Sequence, residues 1–513
     1  MICRCGALLL VIALPLTGIA QDSVLHHWSG ALSPTHIRVN AMLSGACDSV
    51  RLVVDEDAQW GSPLYSAYLS ADTAFNRMVP LWTSGLEPNT AYTYRFEVSG
   101  AMDTSAANTG HFSTPGEGPY SFQFVTGSCN TTGDHPVWSS MQALHPLFFL
   151  STGDLHYGDP TSASVYEHRD AYVHLVYEKA PMRDFLRGAP IAHVWDDHDF
   201  CGNGSYGNAI GRSVAAQAFR EHVPHYGLVD DTAVYQAFTI GRVRFILTDL
   251  RSEKDSSSMM SDAQRAWLHA QLLQARDSGL VTCWATPLSW NSSGYPENWG
   301  SQSAERTALS DWLLANHIDD LFMVSGDAHM LAIDDGANGD FSSGHNSPYR
   351  YPILQAAAIN RIGSYKGGSY NQGGYFPNPT AGYGQFGQVI VDDDGTDVCV
   401  TFNGWRTDSM DTALTLINSY TFCRAPQSVD TFGTKPLAAM FDAWYAEGGL
   451  IVQGAPTGMQ VDARIIDSTG REILAVSTRS ANEPLPINGL RAGAYVAIVR
   501  QEDKRAIVRF VID

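Results

Sequence analysis

The sequence predicts an α/β protein flanked on both sides by all-β sandwich domains. Three observations predict this. Between residues 119 and 424, apolar strand candidates alternate with helical patterns, whereas 23–115 and 433–513 carry short strand candidates separated by turn residues. The 513 residues, at roughly 150 per domain, make about three domains. The 46 Gly, 24 Pro and 11% aromatic residues lean towards strands and loops, while 44% hydrophobic against 17% charged residues excludes a disordered or fibrous chain.

The chain opens on a targeting pattern. Arg4 supplies a basic start, 7–16 is an apolar run, and Gly18-Ile19-Ala20 places small residues at a cleavage site. Residues 1–20 are therefore expected to be a signal peptide cut before Gln21, giving a secreted or cell-surface protein. The run is too short to span a bilayer, and no later stretch is apolar for long enough, so no transmembrane segment is expected. Six cysteines follow, at 47, 129, 201, 283, 399 and 423, too few for a disulfide scaffold in a chain of this length. Cys399 and Cys423 sit in neighbouring strand-like segments, and their pairing stays open. A monomer is expected.

Residues 23–115 offer strand candidates such as 37–42, 49–54 and 91–98. The run Leu86-Glu87-Pro88-Asn89-Thr90-Ala91-Tyr92-Thr93-Tyr94 resembles the corner of fibronectin type III domains, which implies a Tyr hydroxyl bonded back to the backbone. No catalytic residue stands out there.

Residues 119–424 carry the chemistry. Strand candidates are 122–126, 146–150, 191–195, 243–248, 281–285 and 321–324. Ser261 with Gln264 reads as a capping box, followed by a 3.6-residue stripe of Ala263, Ala266, Trp267, Ala270 and Leu273 expected to face the core. Polar residues gather just beyond five of the strands: Gly127-Ser128-Cys129-Asn130, Gly153-Asp154-Leu155-His156-Tyr157, Asp196-Asp197-His198-Asp199, Asp249-Leu250-Arg251 and Gly326-Asp327-Ala328-His329. Ligands of α/β sheets bind beyond the carboxyl ends of strands. One Asp after a strand is often a helix cap, but five such tips together are not explained by capping.

Carboxylate and phenol oxygens with imidazole nitrogen suit a multinuclear hydrolytic metal centre. Asp154 is the natural bridge between two cations, with Tyr157 three residues on in the same loop. A phenolate ligand favours a trivalent ion such as iron, and a Cys129 thiolate favours a transition metal over magnesium. The net charge of -21, from 32 basic against 53 acidic residues, repels polyanions. Duplex nucleic acid is thereby excluded as the main partner, and a phosphate site would need metal ions for its local positive charge.

These motifs, in this order, resemble those of PhoD-type alkaline phosphatases of the calcineurin-like metallophosphatase superfamily, and the match extends to Trp299-Gly300 and Glu305-Arg306. The resemblance covers about 23–424. It implies a central metallophosphatase β-sandwich flanked by helices (αββα), and hydrolysis of phosphomonoesters, phosphodiesters or both with Fe(3+) and Ca(2+) as cofactors. Carried over, Cys129, Asp154, Tyr157 and His329 stand for iron ligands, and Asp154, Asp197 and Asp327 for those shared with calcium. His198 would face the leaving group and Arg251 would steady the phosphoryl oxygens. Additional His ligands of related enzymes have no counterpart in 284–291, which offers Asn291 instead.

The remaining motifs read as scaffold. His156 is expected not to be a ligand, Asp334–Asp340 to be a solvated turn, and Asp392-Asp393-Asp394-Gly395 to be a hairpin turn. In 433–513, Asp467-Ser468-Thr469-Gly470 and Leu490-Arg491-Ala492-Gly493-Ala494-Tyr495 resemble the sorting domain of type IX secretion, which implies that machinery as a partner. Two alternatives stand beside the phosphatase: a phosphodiesterase of phospholipase D type acting on lipid headgroups or nucleic acid, and a non-catalytic surface binding protein.

Overall fold

The computed structural model describes residues 23–56, 59–378, 382–407 and 410–425, together with 442–446, 449–453, 461–467, 472–478, 485–486, 490, 493–501 and 504–512. The expected signal segment 1–20 and the turn 468–470 lie outside the described residues.

Two large sheets face each other. The first has nine strands in the order Leu414–Arg424, Val398–Thr407, Gln385–Asp393, Phe122–Gly127, Phe149–Ser151, Ile191–His193, Val24–Gly30, His36–Leu43 and Met78–Ser84. The second has seven, in the order Gln236–Ile240, Val243–Leu247, Val281–Thr286, Leu321–Ser325, Ile353–Ala356, Leu331–Asp334 and Gln372–Gly374. The strand Val243–Leu247 displays the layering. Val243, Phe245 and Leu247 enter the apolar cluster shared with the first sheet, where Phe124 meets Phe245 edge to face with ring centroids 5.4 Å apart. Ile246, on the opposite face of its pleat, joins Leu268 and Leu272 of the helix Asp262–Asp277 and Leu309 and Leu313 of the helix Ser303–Ala315. On the first sheet's side, Trp138, Phe185 and Phe219 bring the helices Val137–Gln142, Ala180–Gly188 and Arg212–His222 into the first cluster. The result is helix, sheet, sheet, helix.

The helix Asp262–Asp277 corrects one expectation. Its buried residues are Gln264, Leu268, Leu272 and Ala275, one step round from the expected stripe, and Ala263, Ala266 and Ala270 are exposed. Half-buried Trp267 packs on Tyr235 instead. The capping box forms only in part: Ser261 Oγ accepts from Gln264 N at 3.1 Å, while the Gln264 side chain turns to Asp249.

The N-terminal strands sit inside this architecture. Val24–Gly30, His36–Leu43 and Met78–Ser84 extend the nine-stranded sheet through a parallel pairing of Gly30 with Ile191. A Cβ at Gly30 would lie 2.3 Å from the Pro224 carbonyl oxygen, so only glycine allows this approach. A further sheet containing Cys47–Asp55 and Ala91–Val98 packs over them in a separate apolar cluster, and Glu87 N donates to the Tyr92 hydroxyl at 2.8 Å. The junction is polar. Arg169 donates to both carboxylate oxygens of Glu221 at 2.7 Å and to the Ala74 carbonyl, and Trp28 Nε1 donates to the His222 carbonyl.

Cys399 and Cys423, directly opposed on antiparallel strands, form a disulfide. The Asp392–Gly395 run turns the hairpin between Gln385–Asp393 and Val398–Thr407. The turn at 334–340 is not simply solvated: Asp334 is buried and accepts from Gly336 N and Asn338 N. Strands 442–512 form one three-stranded and one four-stranded sheet. No described helix is long and apolar enough to cross a membrane.

Candidate metal centre

Phe122–Gly127, Phe149–Ser151 and Ile191–His193 run parallel in one sheet, and Val243–Leu247, Val281–Thr286 and Leu321–Ser325 in the other. Their carboxyl ends bring most of the expected residues together, while Asp327 falls in neither of the two donor groups they form. One Cys129, Asp154 and His329 donor atom each lie within 4.8 Å of one another, and so do donors from Asp154, Asp197 and His198. Asp154 belongs to both groups. Tyr157 joins them, its hydroxyl donating to Asp154 Oδ2 at 2.9 Å and lying 3.4 Å from His329 Nε2.

The backbone is bent to reach this arrangement. Cys129, Asp154, Asp327 and His329 have φ of 59°, 53°, 57° and 48°, a region that side chains other than glycine seldom occupy. The loops lock together, Cys129 N donating to the Gly153 carbonyl and Asn130 N to the Asp154 carbonyl. Gly153 has φ 98°, and a Cβ there would lie 2.4 Å from Asp196 Cβ, so glycine is required where the two acidic loops cross.

The electrostatics are lopsided. Asp154, Asp196, Asp197, Asp199 and Asp327 are all buried. Burial, then the neighbouring Asp197, Asp199 and Asp327 charges, holds the Asp154 carboxyl well above its usual range. Burial raises Asp199 to about 7. Burial also acts upward on Asp197, but Arg251 and His198 outweigh it and keep that carboxyl low. The Cys129 thiol and Tyr157 phenol are both pushed well up, first by burial and then by Asp154. Burial and Lys366 lower His329 to about 4. A bound cation would reverse these directions for the thiol and phenol.

Arg251 is buried beneath the carboxylates. It donates through Nε to Asp196, with Nη2 3.5 Å from Asp197 Oδ1 and Nη1 3.6 Å from Glu297 Oε2. Gln264 fixes its loop, accepting from Asp249 N at 2.8 Å and donating to the Asp249 carbonyl. His198 Nδ1 meets Asp159 Oδ1 at 2.5 Å. Asp327 pairs through Oδ1 with Lys366 Nζ, while its buried Oδ2 has no hydrogen-bond partner. His156 stays outside both donor groups. Asn291 donates through Nδ2 to the Ser369 carbonyl at 3.0 Å, and its buried Oδ1 has no hydrogen-bond partner.

Sequence reasoning missed Asp159, Arg361 and Lys366. Arg361 lies over the Tyr157 ring at 4.2 Å. The available signal was basic residues in a Gly- and Ser-rich stretch of an acidic chain.

The donor set fits a metal centre. Thiol, phenol, carboxylates and imidazole converge from several strand tips, and one buried carboxylate oxygen of Asp327 is left without a partner.

Comparisons with known proteins agree with this architecture. A solved structure of PhoD matches with a TM-score of 0.63 and 14% identity, over 80% of this chain and 93% of that one. The purple acid phosphatase PPD1 from yellow lupin (Lupinus luteus) seeds matches with a TM-score of 0.53 and 14% identity, over 82% of this chain and 78% of that one. No curated protein matches the sequence. Residues 122–347 match the PhoD-like phosphatase family model, so this part of the chain carries a PhoD-like phosphatase domain.

Proposed function

We propose that the protein is an exported, metal-dependent phosphoester hydrolase acting on phosphomonoesters and phosphodiesters at alkaline pH. The observation that carries this reading is the membership of Asp154 in two donor groups at once. One carboxylate shared by two sites sets the spacing of a cation pair. Cys129, Tyr157, His329 and Asp154 would hold iron, and Asp154 and Asp197 of the second group, joined by Asp327 from outside both groups in place of His198, would hold calcium. Cations there supply charge that polarises phosphoryl oxygens and makes water a stronger nucleophile.

The chain's own residues do the rest. Arg251 positions Asp196 and Asp197 through its ion pairs and adds positive charge towards the phosphoryl oxygens. His198 is held by Asp159, so its Nε2 can give a proton to the leaving oxygen. Residues 1–20 serve export and 433–513 serve sorting at the cell surface. The sorting assignment rests on motif resemblance alone.

The test is purified protein, analysed for metals and assayed on p-nitrophenyl phosphate and bis-p-nitrophenyl phosphate. Activity on both is expected, with a visible ferric–phenolate band that Tyr157→Phe removes or shifts. Inactivity of metal-loaded protein on both substrates would favour a surface binding protein. Colourless, iron-free protein with full activity would sink the iron assignment.

A further inference from the structure

The segment 360–366 runs along the centre and touches three of its five loops, those of Cys129, Tyr157 and His329. Asn360 accepts from Thr131 N and donates to Asn130 Oδ1 at 2.8 Å, just past Cys129. Arg361 lies over Tyr157. Ser364 donates through Oγ to the Ala328 carbonyl at 2.7 Å and through its backbone N–H to the His329 carbonyl. Lys366 reaches Asp327. The strap is thus held in place at four points around the proposed reacting position.

Two features of the strap are unused by its own packing. The half-buried Arg361 guanidinium has no carboxylate partner among the described residues, although the chain is strongly acidic. Tyr365, which lies between Arg361 and Lys366 in the chain, is 75% exposed and stacks on Tyr375, itself 38% exposed, at 3.8 Å and 25° between rings. An exposed aromatic pair therefore stands on the strap directly after Ser364, which bonds the Ala328 and His329 carbonyls, and four residues from the Arg361 guanidinium that lacks a carboxylate partner among the described residues. An anion and a flat apolar ring joined in one molecule match that pairing.

We propose that the strap is the subsite for the organic part of the substrate. Arg361 meets the phosphoryl oxygens and Tyr365, backed by Tyr375, stacks a planar ring, so the preferred substrates are nucleotide-type phosphoesters. Stacking on one aromatic side chain suffices for about a tenfold difference in affinity.

This rests on the hydrolase reading but can fail separately from it. The probes are the carbon-bridged phosphonate analogues of adenosine 5′-phosphate and ribose 5-phosphate, which share sugar and phosphoryl group, differ by the base, and cannot be hydrolysed. Calorimetric titration of the metal-loaded protein should show the adenosine analogue binding about tenfold more tightly. Tyr365→Ala should erase that difference and leave the ribose analogue unchanged, while Tyr365→Phe keeps it. Equal affinities in the wild type, or an unchanged ratio in Tyr365→Ala, would overturn the proposal even if phosphoesters are hydrolysed. A base-dependent affinity without hydrolysis would leave the subsite standing and count against the hydrolase.

Discussion

The junction of the N-terminal strands with the central domain and the strand-tip centre both bury many polar groups, yet they are built on opposite terms. At the junction, the central ion pair is matched charge for charge. Arg169 faces Glu221 with two bonds of 2.7 Å, and Asn40 donates to the Glu221 and His222 carbonyls. At the strand tips, the six buried carboxylates of Asp154, Asp196, Asp197, Asp199, Asp249 and Asp327 outnumber the permanent cations near them, Arg251, Lys366 and Arg361. Buried charge is costly unless paired, so the Arg169–Glu221 pair stands without further charge, whereas the tips require more positive charge. The difference separates a structural polar region from one organised to hold cations.

The sharpest way to break that comparison is to remove one arginine from each region. Arg169→Met and Arg251→Met should each cost about 3–5 kcal/mol in metal-free protein, because each strands a buried carboxylate. Added metal should recover much of the loss for Arg251→Met, since cations replace the missing charge, and none for Arg169→Met. Denaturant unfolding with and without metal measures this; equal recovery in both variants would remove the distinction.

A smaller effect concerns the N-terminal strands and the helix they meet. Burial lowers His27 and His222 to about 3 and His36 to about 4. These rings are neutral in the folded chain, so below pH of about 6.5 the unfolded chain binds more protons and stability falls. At pH 5 the loss is up to about 2 kcal/mol per histidine, fully absent at high pH. Urea unfolding at pH 7.5 and pH 5 should show His36→Gln losing less stability than the wild type between the two values. An identical drop in both would show that His36 contributes nothing to acid sensitivity.

The sequence made some parts legible and hid others for physical reasons. Cys129, Asp154, Asp197, Arg251, Asp327 and His329 follow apolar runs directly, so residue type and position announced them. Pairing across the chain did not announce itself: Gly30 against Ile191 joins strands 161 positions apart, and no local pattern encodes it. The helix Asp262–Asp277 misled because alanines fit either face, and the side chain that decides its orientation, Gln264, is polar yet buried on Asp249. Lys366 and Arg361 lie outside helices and strands, where no periodicity marks which residues turn inward.

The central claim is that Asp154 holds two cations at once. Elemental analysis of wild-type protein and Asp154→Asn, with kcat on p-nitrophenyl phosphate, tests it most directly. Both metals should fall together in Asp154→Asn, with kcat reduced by about 10²–10³ or more. Loss of one metal with the other retained at full occupancy, or unchanged kcat, would contradict it.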